Sequence, residues 1–227
     1  MLARASVASA EFPGIFDKTS SEDGLSVRPN LNEFSYKKGS EIFGEKEPAD
    51  YVYQVMTGAV RSYKLLSDGR RQIGAFHLTG DIFGLEIGSD HRFTAEAIVD
   101  TTVRLMKRRS LELVAQNDVM VARNLLSMTS INLRHAEDHM LLLGRKTSLE
   151  RVAAFLIEMD KRSTAVGILA LPMCRRDIAD YLGLTLETVS RALSRLHAMG
   201  ILGFVGNNQR QIVLLDHGKL ASLDLQH

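Results

Sequence analysis

At 227 residues the chain is long enough for one large domain or two small ones, with cores of ordinary size. Its 45% hydrophobic and 24% charged residues are the balance of a soluble globular protein, and no run reaches the ~18 apolar residues a membrane span needs. A net charge of +1 announces no polyanionic partner for the molecule as a whole, and a single cysteine excludes an internal disulfide or a cysteine-only metal or iron–sulfur site within one chain.

The opening "MLARASVASAEFPGIF" offers no apolar core for a signal peptide, so a cytoplasmic protein with no membrane partner is expected. Residues 1–30 have little periodicity and read as a loose arm, with room for one short helix. Residues 31–109 change texture. Short β-favouring runs ("YVYQVM", "AVRSYKLL", "QIGAFHL", "TAEAIVD", "TVRLMK") alternate with glycines, and "SDGR" at 67–70 predicts a hairpin turn. That spacing suggests a sandwich, barrel or β-roll.

From Ser110 to Gly144 the pattern is helical, with Ser110 as the expected N-cap and Glu112 in the first turn. One unbroken helix of about 33 residues would reach roughly 50 Å. Val119, Ala122, Leu126, Thr129, Leu133, Ala136, Met140 and Leu143 alternate by three and four and are uncharged, as a coiled-coil seam is. Leu125, Met128, Ile131, His135 and Leu142 form a second stripe. Two apolar faces suggest the β domain on one side and a second copy of the helix on the other, with Leu126 to Leu143 as the dimer interface. The alternative is a helix buried within a monomer.

Residues 145–227 are the mildly basic part, with 11 Lys+Arg against 8 Asp+Glu, while the rest carries 17 against 19. "SLERVAAFLIEMDKR" predicts an amphipathic helix capped by Ser148, with Val152, Phe155, Leu156 and Met159 inside. "CRRDIADYLG" predicts a short helix burying Ile178, Ala179, Tyr181 and Leu182 and ending at Gly183. Thr185 then caps a second helix whose inner stripe is Val189, Leu193 and Leu196, leaving Glu187, Ser190 and Arg191 on another face. Two short helices about a glycine turn, then a β-hairpin turned at "GNN", describe a winged helix–turn–helix. The competing reading is an ordinary pair of surface helices.

The chemistry of these side chains suits DNA. Arg191 can donate two hydrogen bonds to guanine, Glu187 can accept from cytosine, and Ser190 is adaptable. Arg175, Arg176, Thr185 and Thr188 lie near helix N-termini, where phosphate contacts orient a protein without reading sequence. No phosphate-binding loop, metal-ligand cluster or nucleophile elbow is present, so no enzymatic activity is expected.

"RRDIADYLGLTLETVSRALSRL" resembles the recognition unit of the CRP/FNR superfamily of bacterial regulators. "KKGSEIFGEKEPADYVYQVMTGAVRSYKLLSDGRRQIGAFHLTGDIFG" resembles that family's β-roll, and "DHMLLLGRKTSLERVAAFL" its dimer-helix junction. The resemblance implies an α+β fold: a cyclic-nucleotide-binding-like β-roll, a long dimerisation helix and a C-terminal winged helix–turn–helix. "ETVSR" at 187–191 is most similar to FixK-type regulators of the FNR branch. In the CRP branch an Arg precedes the Glu and a Gly precedes the last Arg, where this chain has Leu186 and Ser190. The similarity implies a homodimeric transcription regulator, an activator reading a palindrome of TTGAT-like half-sites. It also implies control of low-oxygen respiration or nitrogen-fixation genes and contact with RNA polymerase, for which "SDGRR" at 67–71 is the candidate loop.

The family's effectors do not transfer. Cys174 is alone and in the wrong domain for an iron–sulfur cluster. Where cyclic AMP binding in CRP needs Glu after glycine and an Arg-Ser pair, this chain has Leu85 after Gly84, and Arg92 followed by Phe93. His77 is the kind of residue that ligates haem in some relatives, but a strand histidine in an apolar run reads more simply as structural. No cofactor is therefore expected, and a nucleotide- or haem-sensing module of the same family is the rival function. Cys174 reads either as a small half-buried residue or as a redox switch. A helix N-terminus and two arginines would raise its reactivity, and an oxidised anion there would face DNA phosphate.

Overall fold

The computed structural model describes residues 32–145, 147–163, 167–206 and 210–224. The arm expected over residues 1–30 and the tip of the "GNN" turn lie outside the described residues. The chain divides into two compact units at His135/Ala136.

Among the described residues the first unit holds eight strands: β1 (Asn32–Tyr36), β2 (Glu41–Phe43), β3 (Tyr51–Thr57), β4 (Ala59–Leu65), β5 (Arg71–Leu78), β6 (Ile82–Phe83), β7 (Thr94–Ala97) and β8 (Thr101–Lys107). They form two antiparallel sheets, ordered β1-β8-β3-β6 and β2-β7-β4-β5. Phe43, Tyr53, Val55, Val60, Phe83, Ala95 and Val103, drawn from both sheets, fill the space between them. Period-two alternation delivers one face of each strand to that core. β4 and β5 are joined at the expected turn, where Gly69 takes φ +80° and donates to the Leu66 carbonyl at 2.9 Å. Such a backbone favours glycine.

The helical segment differs from the single helix expected from Ser110. It begins two residues earlier, as α1 (Arg108–Asn117), and is broken before α2 (Val119–Arg145). Ser110 lies inside α1 and caps nothing; the cap position is Lys107, without a side-chain bond. Asp118 makes the break. Its backbone is extended, and its carboxylate accepts from the Met120 and Val121 amides at 2.8 and 3.2 Å, capping α2. Val121 and Met128 of α2 then bury against Val52, Ile82, Met106 and Leu111, with Leu125 alongside. Of the expected second stripe, Leu125 and Met128 meet the β-roll, joined by Val121, which the stripe did not include, while His135 is exposed.

The second unit holds the end of α2, then α3 (Ser148–Arg162), β9 (Leu169–Ala170), α4 (Arg175–Leu182), α5 (Leu186–Ala198), β10 (Leu202–Val205), β11 (Gln211–Leu214) and α6 (His217–Asp224). α3 is capped by Thr147, not Ser148. The Thr147 amide donates to the Glu150 carboxylate at 2.8 Å, and the Glu150 amide donates to the Thr147 hydroxyl, a reciprocal capping box. Phe155, Leu156, Met159, Leu182, Val189, Leu193, Leu196, Leu202, Ile212 and Leu220 have almost no exposed surface. β11 pairs with both β10 and β9, so the wing is a three-stranded sheet. α6 carries no amphipathic signature strong enough to predict it, yet it buries Leu220 and packs on α3.

Candidate nucleic-acid interface

α4 and α5 are set by their ends. Gly183 takes the left-handed conformation at φ +62° and stops α4, and Leu184 N donates to the Ala179 carbonyl at 2.9 Å. Thr185 caps α5: its hydroxyl accepts from the Thr188 amide at 3.2 Å and lies 3.0 Å from the Thr188 hydroxyl. α4 is also held from behind. Arg151 of α3 donates to the Leu182 carbonyl at 3.0 Å and the Leu143 carbonyl at 2.8 Å, covering the exposed C-termini of α4 and α2 together. His139 Nε2 meets the Tyr181 carbonyl at 3.0 Å, and the Tyr181 hydroxyl donates to Glu158 at 3.3 Å. Burial pushes the His139 pKa down and the Tyr181 pKa up.

With that frame fixed, the N-terminal turn of α5 presents its polar face. Glu187 and Arg191 are exposed, and Arg176 of α4 is exposed beside them. The Glu187 carboxyl is held below the usual range, first by its own backbone amide and the Thr185 hydroxyl, then by the charges of Arg176 and Arg191. Ser190 is half-buried, and its hydroxyl accepts from Arg175 Nη1 at 3.2 Å. The Arg175 guanidinium also lies 5.8 Å above the Phe204 ring of β10. Arg175 is thus tied to α5 and the wing as well as facing outward from α4.

Cys174 occupies the cap position of α4. Its amide and its thiol each donate to the buried Asp177 carboxylate, both at 3.1 Å. A cavity of about 100 Å³ opens beside it, lined by Met173, Ile178, Leu193, Ile212, Arg175 and Arg210 among others. Sequence reasoning placed Cys174 at the helix start but missed Asp177, whose spacing of three from the cap was the available signal.

On α2 the predicted seam is bare. Leu126, Leu133 and Met140 are 69%, 59% and 67% exposed, and Thr129 and Ala136 are exposed with them. Leu143 differs: it is half-buried, turned toward Gly183.

In the β-roll, Phe93 and His77 are engaged within the fold. Phe93 lies so close to Gly74 that a Cβ there would meet its ring at 3.0 Å, and Lys64 stands 5.6 Å over the same ring. Arg61 and Glu96 pair at 2.6 Å with little exposure. Leu85 is partly exposed and Arg92 exposed. His77 Nε2 is 2.8 Å from the Ser62 hydroxyl, and its ring stacks on Phe83 at 4.8 Å. His91, which the sequence reading passed over for its neighbour Arg92, is buried. It stacks on Phe43 at 3.6 Å, with Nδ1 3.8 Å from Glu86, and burial lowers its pKa.

Residues 150–223 match the Crp-like helix-turn-helix domain family, and residues 33–118 match the cyclic nucleotide-binding domain family. The chain is 43% identical to the nitrogen fixation regulation protein FixK of Rhizobium meliloti, over 83% of its own length and 85% of that protein. It belongs to the FixK-type members of the CRP/FNR superfamily. Similarity to the transcriptional activator protein FnrL of Cereibacter sphaeroides is lower, at 33% over 82% of this chain and 77% of that one. The structure of FixK2 from Bradyrhizobium japonicum superposes with a TM-score of 0.83 at 69% identity, covering 87% of this chain and 98% of that chain. The CRP/FNR assignment accounts for the roll, the helix and the winged helix–turn–helix together, and DNA binding follows from the helix–turn–helix family.

Proposed function

We propose that this protein is a homodimeric, sequence-specific transcription activator of the cytoplasm that reads a palindrome of TTGAT-like half-sites. By analogy with its FixK relatives it controls nitrogen-fixation or low-oxygen respiration genes. The observation that carries this reading is the exposed Glu187 and Arg191 on the first turns of a helix locked at both ends. Arg191 reads guanine, and Glu187 and Ser190 complete the base contacts. Arg175, Arg176, Thr185 and Thr188 hold phosphates. The bare seam of Leu126, Leu133 and Met140 supports pairing of two α2 helices, with Thr129, Ala136 and Leu143 in the same interface. Two copies of α5 would then stand about one DNA turn apart, roughly 34 Å.

The β4–β5 tip at 67–71 is proposed as the contact for RNA polymerase; Leu65 and Leu66 beside it are exposed apolar residues. Cys174 is proposed as a redox switch. Oxidation by peroxide to a sulfinate would remove the thiol proton that Asp177 accepts and set an anion against both that carboxylate and the DNA phosphates. Peroxide should therefore abolish DNA binding by the wild type and spare Cys174→Ser. Equal loss in both would end the idea.

The test of the main reading is a gel shift on a TTGAT palindrome and on a scrambled half-site, beside sedimentation of the free protein and calorimetry with cyclic AMP and cyclic GMP. A dimer, a selective shift and no nucleotide heat are expected. Nucleotide binding without a shift would instead support a cyclic-nucleotide-sensing module, a reading that Phe93 against Gly74 disfavours.

A further inference from the structure

We infer that Arg175 is a specificity-determining residue that acts through Ser190, and that the wing takes part in base readout through Phe204. The inference rests on α5 being the base-reading helix. A guanidinium only donates hydrogen bonds, so in the 3.2 Å contact the Ser190 oxygen is the acceptor. Its proton is then left to donate elsewhere. In a helix a serine hydroxyl commonly donates back to the carbonyl four residues earlier. Thr129 and Ser130 of α2 do so, to Leu125 and Leu126, both at 2.9 Å. Among the described residues, Ser190 makes no such bond; Arg175 is its partner.

A hydroxyl that could read either a donor or an acceptor is thereby biased toward donating, since one of its two lone pairs is already taken and its proton is left over. In the major groove it favours thymine O4, guanine O6 or a purine N7 over the amino groups of adenine and cytosine. Phe204 is the support. Its ring lies under the Arg175 guanidinium at 5.8 Å and is itself flanked by the His197 ring at 5.3 Å. His197 Nδ1 is in turn 3.0 Å from the Leu202 carbonyl. The line His197, Phe204, Arg175, Ser190 runs from the end of α5 through β10 and back to the reading face. A guanidinium has five N–H donors, so the bond to Ser190 is compatible with a phosphate contact as well. The two roles differ in what they predict. A phosphate contact weakens all DNA alike, whereas holding Ser190 affects one base pair.

The experiment is a double-mutant cycle on the full-length protein. Affinities of wild type, Arg175→Ala, Ser190→Ala and the double variant are measured against the palindrome and every single-base change in one half-site, with Arg175→Lys and Phe204→Leu alongside. Ser190→Ala should lose about three- to tenfold discrimination at one base pair, the worth of one neutral hydrogen bond. Arg175→Ala should lose discrimination at the same pair, and none further in the Ser190→Ala background. Phe204→Leu should reproduce part of that loss. Arg175→Lys should lose part of the discrimination at that pair, because a lysine ammonium does not lie flat on Phe204. Additive losses of discrimination in the cycle, or an Arg175→Ala loss that is the same at every base, would overturn the inference and leave only a phosphate contact. If wild type shows no preference for the palindrome, or Arg191→Ala costs nothing, it is the base-reading role of α5 that fails.

Discussion

Arg61 of the β-roll and the arginines on the outer face of the helix–turn–helix are handled in opposite ways. In the roll, Arg61 is turned inward and held by Glu96 at 2.6 Å with both side chains mostly covered. In the reading unit, Arg176 and Arg191 stand in solvent around an ionised Glu187. A buried, paired charge contributes to the folded state and does little for a partner, because its partner is already present. An exposed charge costs the fold almost nothing and remains available. Arg61 is therefore spent on the roll itself, while Arg176 and Arg191 are left exposed on the helix–turn–helix.

The sharpest way to break that contrast is to remove Glu96. Glu96→Ala should destabilise the protein by about 3 kcal/mol, because the Arg61 charge stays covered without its carboxylate. Chemical denaturation reads this, and discrimination between DNA sites should be unchanged in the protein that remains folded. Arg191→Ala should do the reverse. It should cost roughly 2 kcal/mol on the palindrome, relax preference at one base pair, and leave the denaturation midpoint in place. A stability loss from Arg191→Ala, or a base-specific defect from Glu96→Ala, would erase the distinction.

Smaller effects sharpen it. Asp118→Ala removes the cap of α2 and should cost about 1 kcal/mol, with no base-specific signature. The smallest is a pH dependence that the two regions share. His91 in the roll and His139 in the reading unit are both kept neutral by burial, so their folded pKa values lie below the ordinary 6.5. Below about pH 6.5 the unfolded chain takes up protons that these two sites resist. Stability is thus full above that pH and falls as the solution is acidified through it. His139→Gln and His91→Gln should each flatten the slope between about pH 7 and 5.5. An unchanged slope in both would show that these sites do not set the acid limit.

Much of the candidate site was legible because helix ends and helix faces are local matters. Gly183 and Thr185 announce the stop of α4 and the start of α5, and a spacing of three and four sorts Val189, Leu193 and Leu196 from Glu187, Ser190 and Arg191. The same local logic misplaced two caps. Ser110 and Ser148 are good capping residues, but Asp118 and Thr147 do the work, since a cap is decided by which backbone turns at that point. The Asn-Asp pair at 117–118 was a break signal hidden inside an otherwise periodic run.

The sequence alone determined the order of the parts, the buried stripe of α3, and the exposed Glu187 and Arg191. These depend on periodicities of two and 3.6 residues and on turn chemistry, which a chain carries in its neighbours. Only the tertiary structure decided that Phe93 covers Gly74, that Arg151 holds two helix ends, and that Arg175 is shared between Ser190 and Phe204. Those contacts join residues eight to 31 positions apart through packing, and no pattern along the chain records which long side chain will reach which partner.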